Sequence, residues 1–194
     1  MSEDGLEAEA HLEYYKDQFV ANYKDKFFTC LSRRERPHRS ALCFEIWKAG
    51  LRNKALMSHP ELPDNICDYY APGFGATVEE MRIWNKELPY VIDNPKFENK
   101  VMDSILQFHN QILVDIVGET TILEGTKFIS EKTSKSLLNM QPFMVWGSHG
   151  IHELMETRYG FRMYHGMIDY SFDTIANPRK RLDEMIKQTK SLAS

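Results

Sequence analysis

Only three cysteines (Cys30, Cys43 and Cys67) occur in the 194 residues, an odd count without metal-site spacing. That excludes a disulfide framework and argues for reduced thiols in a cytosolic compartment. There is no excess of positive charge: 24 Lys and Arg against 28 Asp and Glu give a net charge of −4, so no global field draws the chain to DNA or to an anionic membrane. Apolar runs stay well short of the ~20 residues that a membrane span requires. The acidic opening MSEDGLEAEAHLEYYKDQF is the opposite of a secretory or transit signal. GxGxxG, P-loop and GxSxG motifs are missing, as are a Cys–His nucleophile pattern and any internal repeat. A soluble, cytoplasmic domain is the expectation, and 42% hydrophobic residues with 12% aromatics suffice for one well-buried core.

Residues 1–24 read as a charged helix or tail ahead of a single domain over 25–194. The apolar strand FFTCL (Phe27 to Leu31) comes first, then the basic turn SRRERPHR. Pro37 opens a helix whose stripe is Ala41, Leu42, Ile46 and Trp47 and which ends near Gly50. ALMSH is a second strand. Five of the eight prolines fall between Pro60 and Asn99, which reads as an irregular insertion with one short helix, TVEEMRIWNKEL. Regular alternation follows: helix KVMDSILQFHNQ, strand ILVDIVGET, helix SEKTSKSLLNM, strand PFMVWG, and helix GIHELMETRYG closed by Gly160. FRMYHGMI is a strand or edge segment, and Asn177-Pro178 starts a last helix. Strands alternating with helices of this length predict an α/β fold, a Rossmann-like three-layer domain with a mainly parallel sheet of about four or five strands.

In such sheets ligands bind beyond the carboxyl ends of the strands. Three loops would occupy that edge. SRRERPHR (Ser32 to Arg39) carries Arg33, Arg34, Arg36 and Arg39 with His38, a composition suited to an anion, or else a solvated loop balanced by Glu35. Glu119, in Gly118-Glu119-Thr120, could accept from a sugar hydroxyl or serve as a cap. In Ser130-Glu131-Lys132, Ser130 and Glu131 suit a helix start, whereas Lys132 and Lys135 sit at the end where the dipole disfavours cations, which points to an anion nearby. Elsewhere the residues read as structural. His149 and His152 could contact a ligand or act as a base but read better as an inert surface pair, Asp169 and Asp173 as helix-entry or turn residues, and Trp47, Trp84 and Trp146 as core.

The ordered set SRRERPHR, FISEKTSK, QPFMVWGS, YGFRMYHGMIDYSFD and NPRKR resembles a family of phage and marine-virus proteins described as glycosyltransferase-like, with runs akin to LNRRPRPHR, TEKTFKP and GFKTF…DESYD. It is similar, more distantly, to the donor-binding half of GT-B fucosyltransferases. The resemblance implies a metal-independent transferase using a nucleotide diphosphate sugar, with no cofactor, acting in the host cytoplasm or carried in a virion. It implies that Arg39, with Arg33 or Arg36, meets the diphosphate, that Lys132 meets the phosphates, that Glu131 binds ribose hydroxyls, and that Glu119 sits near the sugar. Ser134, Ser136 and Tyr170 depart from the family's pattern, and the acceptor-binding half of a GT-B enzyme is missing. Residues 60–99 (with Asp64, Asp68, Glu79 and Glu80), a partner chain or a second copy would then supply the acceptor side, the acceptor being a glycan, a protein or a modified nucleobase. A non-catalytic virion or interaction protein on a degenerate transferase fold is the alternative.

Overall fold

A computed structural model describes residues 26–92, 112–123, 125 and 127–193. Its sheet contains β1 (Phe28–Leu31), β2 (Ala55–Ser58), β3 (Val114–Gly118) and β4 (Phe143–Trp146), in the order β2-β1-β3-β4. All neighbouring strands run parallel, with Phe28 opposite both Ala55 and Val114, and Asp115 opposite Phe143. The helices are α1 (Pro37–Lys48), α2 (Asp64–Gly73), α3 (Val78–Asn85), α4 (Glu131–Leu138), α5 (Ile151–Thr157) and α6 (Pro178–Leu192). The expected Rossmann-like α/β architecture is therefore present.

β3 and β4 are buried along their whole length, as a parallel sheet covered on both faces demands. Side chains alternate across that sheet. Val114, Ile116, Met144 and Trp146 enter the larger core with Leu42, Phe44 and Ile46 of α1, while Val117, Phe143 and Val145 pack on the other face with Ile151 and Met155 of α5. The step from β1 to β2 through α1 and the step from β3 to β4 through α4 run in opposite directions along the sheet. Right-handed crossovers then put α1 and α4 on opposite faces. Between β1 and β3 the direction of winding reverses, which is where a doubly wound sheet opens a crevice at its carboxyl edge.

Local chemistry sets the helix starts. Pro37 and Pro178 hold first helical positions, where a missing N–H costs nothing, and the Asn177 side chain accepts from the Lys180 amide at 3.0 Å. Thr77 and Glu80 form a reciprocal capping box at the start of α3. Cys30, Cys43 and Cys67 are free and buried, the first two with their sulfurs 3.9 Å apart. No helix among the described residues is long and apolar enough to cross a membrane.

Four expectations change. The proline-rich segment is not irregular over residues 60–92 but holds two helices, α2 and α3, since Pro63 caps α2 from outside and Pro72 lies in its last turn. FRMYHGMI forms no strand. Beside β4, side chains take the backbone groups a fifth strand would need: Val145 N–H donates to His152 Nε2 at 2.9 Å, and the Tyr170 hydroxyl donates to the Phe143 carbonyl at 2.9 Å. His152 is accordingly no surface residue; it is 2% exposed, and its Nδ1 lies 3.1 Å from Asp173. Asp173 also accepts from the His152 amide and is a buried partner, whereas Asp169 is the turn residue expected, accepting from the Ser171 amide. The predicted elements at 1–24 and 100–111 lie outside the described residues.

Candidate functional site

Strand alternation places Asp115, Val117 and Glu119 on the face of β3 that meets α4. Helix α4 answers with Thr133 and Ser136, three residues apart and both fully buried. The Ser136 hydroxyl donates to Asp115 at 2.5 Å, and Thr29 of β1 donates to the other oxygen of the same carboxylate. Glu119 is 0% exposed. One of its carboxylate oxygens accepts from the Ser130 amide at 2.8 Å and the Thr133 hydroxyl at 2.7 Å, and the other from the Thr120 amide at 2.6 Å. So Glu119 does not face a sugar. It is a brace that fixes the start of α4 against the end of β3, and a sealed carboxylate of this kind has no lone pair turned to solvent.

The backbone of that same residue organises the opposite side of the crevice. Its carbonyl oxygen accepts from Arg39 Nε at 3.1 Å and lies 2.7 Å from His38 Nε2, which must donate because a carbonyl cannot. The His38 carbonyl in turn accepts from Trp146 Nε1 at 2.9 Å. Gly118 makes this approach feasible, since a Cβ there would stand 3.2 Å from Arg39 Cγ and 3.4 Å from Ser32 Oγ. The first turn of α1 is thus pinned to the end of β3 across the point where the winding reverses. Glu35 in the same basic loop accepts from the Tyr70 hydroxyl of α2, which anchors the loop from its outer side.

Arg39 is 4% exposed, yet its guanidinium takes part in no ion pair among the described residues. Of its five N–H groups only Nε–H has a bonding partner among the described residues, and that partner is a neutral carbonyl. Buried charges are ordinarily paired, and burial duly pulls the Arg39 guanidinium below its usual value, with Glu119 and Glu131 working against that and Arg36 and Arg34 with it. Across the crevice, Lys132 Nζ lies 3.0 Å from the exposed Glu131 carboxylate. Partial burial tends to raise the Glu131 carboxyl, but Lys132 and Lys135 prevail and hold it below the ordinary range. The Lys135 ammonium is lowered by burial first and by the charges of Arg33 and Lys132, with Glu131 and Asp115 opposing.

Arg33, Arg36 and Arg39 from the β1–α1 loop thus share one electrostatic neighbourhood with Glu131, Lys132 and Lys135 from α4. Of the residues expected to contact a ligand, Glu119 has its carboxylate sealed by protein donors, while Arg39 is buried with most of its guanidinium N–H groups unbonded among the described residues. His38, named in the sequence with the arginines of SRRERPHR, lies beside them here; Thr133 is an addition, legible as the middle of Ser130, Thr133 and Ser136, a polar stripe at spacing three on a helix facing a strand with two acids at spacing four. Of the acids named in residues 60–92, two are engaged in structure: Asp68 pairs with Arg82 at 2.9 Å, and Glu80 bonds the Thr77 amide at 2.8 Å and Lys48 at 3.0 Å. Among the described residues no group of three His, Cys, Asp or Glu side chains is disposed to hold a metal ion. Compared with known proteins, the chain matches no family model, no curated protein and no solved structure.

Proposed function

We propose that the crevice between β1 and β3 binds the diphosphate of a nucleotide sugar and that the chain is a glycosyltransferase of metal-independent type. The observation that carries this reading is Arg39, a buried guanidinium in no ion pair among the described residues, whose charge is felt by Glu131 at the start of α4. A multivalent oxyanion would neutralise Arg39, Arg36, Lys132 and Lys135 together, and the planar fork of arginine suits phosphate oxygens. Glu131, exposed and held below the ordinary carboxylate range beside Lys132 and Lys135, would accept from ribose hydroxyls. In transfer, the sugar's anomeric carbon passes to an acceptor oxygen while its bond to the diphosphate breaks. The arginines and lysines stabilise the charge that develops on the departing diphosphate.

A second reading, binding without turnover, is favoured by one specific feature. Glu119 is sealed by three donors and His38 is already bonded to a carbonyl, so the exposed carboxylate left at the cluster is Glu131. The acceptor and its activating base would then come from a partner chain or second copy, or not be needed.

Thermal unfolding with a panel of nucleoside diphosphates and their sugars tests both readings. A ligand at 100 times its Kd stabilises the fold by about 2.7 kcal/mol. Wild type should gain stability with at least one nucleotide, and Glu131→Ala/Lys132→Ala should not. Release of free sugar or its transfer to an added acceptor supports the transferase; binding with neither supports the second reading. No shift with any diphosphate overturns both.

A further inference from the structure

His38 sits in the first turn of α1 between Arg36 and Arg39, and both arginine charges act on it. Its Nε2–H is committed to the Glu119 carbonyl at 2.7 Å, which fixes the neutral ring as the Nε2–H tautomer and leaves Nδ1 carrying a lone pair. No other described residue bonds that second nitrogen, and the ring is only half-buried. A lone pair aimed at an oxyanion is repulsive; a proton between the two is a charge-assisted hydrogen bond. We propose that the anion site is proton-linked, so that binding a phosphate-type oxyanion places a proton on or against His38 Nδ1 and makes His38 a ligand-contacting residue. This rests on the anion-binding reading above and adds a residue and a pH dependence to it.

The groups that bear on His38 oppose charging it in the free protein. Burial disfavours the imidazolium, and Arg39 and Arg36 on its own helix start repel it; the Glu119 carbonyl and carboxylate from β3 favour it, while Trp146 of β4 brings no charge. The net effect lowers its titration from the ordinary value of 6.5. An anion in the crevice reverses this balance, because it neutralises the two arginines and adds an attractive charge of its own. The linkage is reciprocal: an anion that favours the protonated ring must bind more tightly as the ring is protonated, by up to about tenfold for each pH unit in the window between the two titration midpoints.

Sulfate is the cleanest probe, since it does not titrate near neutrality and any proton gained must be carried by the protein. The ring signals of the full-length chain are followed by NMR from pH 4.5 to 8.5, with and without sodium sulfate, and with sodium chloride at matched ionic strength. His38→Gln identifies the resonance, and its amide can still donate to the Glu119 carbonyl. The expected result is a His38 midpoint that rises by about one unit or more with sulfate and not with chloride. Sulfate that perturbs the amides of residues 33–39 and 131–135 while leaving the midpoint unchanged overturns the proton linkage and leaves the anion site standing. Neither sulfate nor pyrophosphate perturbing those amides overturns both.

Discussion

The Thr133 hydroxyl donates to the Glu119 carboxylate at 2.7 Å, tying the first turn of α4 to the residue that follows β3. Two amides converge on the same carboxylate, so its removal strands the buried Ser130 N–H and the Thr133 hydroxyl together. Glu119→Ala should cost about 3–5 kcal/mol in urea unfolding. Glu119→Gln keeps the shape and most acceptors, and should cost about 1–2 kcal/mol. An alanine variant within 1 kcal/mol of wild type would show that the brace carries no weight.

Acid should weaken the fold well before its carboxylates protonate. His59 is 1% exposed and neutral, with Nδ1 bonded to the Pro60 carbonyl at 2.7 Å and Nε2 accepting from Ser40 Oγ at 3.0 Å. Burial lowers its titration from 6.5 to about 4. Between those values the unfolded chain binds a proton that the folded chain refuses. Stability is therefore whole above pH 6.5 and falls as the pH drops toward 4, by up to about 3 kcal/mol from this residue. His38 is lowered too and acts in the same direction. Asp173 acts lower on the scale: burial tends to raise it, but His152 and two amides hold it below 3.8, so its contribution is lost as the pH falls beneath that value. Urea unfolding at steps from pH 7.5 to 4.5 should show the decline, and His59→Gln should flatten it. Equal stability at both ends would contradict it.

What could be read in the sequence follows from how strongly each segment is constrained. β3 and β4 are buried on both faces, so their apolar runs admit few other readings, and Pro37 and Pro178 mark helix starts on their own. Between Pro60 and Tyr90 the prolines read as helix breakers, but Pro63 precedes its helix and Pro72 sits at the end of one, where the cost is smallest. FRMYHGMI has strand-like alternation yet no strand to pair with, because His152 and Tyr170 occupy the free edge of β4 and its Met163, Tyr164 and Met167 pack onto the core without a ladder. The cations of the site were legible by composition. The inward turn of Glu119 was not seen because Gly118-Glu119-Thr120 reads as a loop; continuing the alternation of β3 by one residue puts Glu119 beside Asp115 on the helix-facing side.

The protected edge of β4 gives a site-specific prediction. His152 offers Nε2 to the Val145 amide and is packed against Phe143, Tyr170 and Phe172 with ring centroids 4.8–6.3 Å away. His152→Leu keeps comparable bulk and removes both the acceptor and the partner of Asp173. It should lose about 2–4 kcal/mol, and the Val145 amide should exchange its hydrogen much faster than in wild type. Tyr170→Phe removes only the bond to the Phe143 carbonyl and should cost about 1 kcal/mol. Unchanged exchange at Val145 in His152→Leu would mean that something other than the imidazole protects the edge.

Gly118 separates binding from folding. Its backbone lies outside the left-handed region, so alanine is conformationally permitted there, but the new methyl carbon would stand 3.2 Å from Arg39 Cγ, 3.4 Å from Ser32 Oγ and 3.6 Å from Leu42 Cδ2. The arginine stem is the neighbour most able to yield. Moving it by a few tenths of an ångström loosens the Nε bond to the Glu119 carbonyl and re-aims a guanidinium that no carboxylate among the described residues bonds. Gly118→Ala should therefore change stability by about 1–2 kcal/mol at most, while weakening pyrophosphate binding about tenfold in isothermal titration. Gly166→Ala is the control: nothing lies within 4 Å of its would-be methyl group, so both quantities should stay at wild-type values. If Gly118→Ala binds pyrophosphate as tightly as wild type, the placement of Arg39 does not determine anion affinity, and the buried guanidinium is a structural feature of the α1 start.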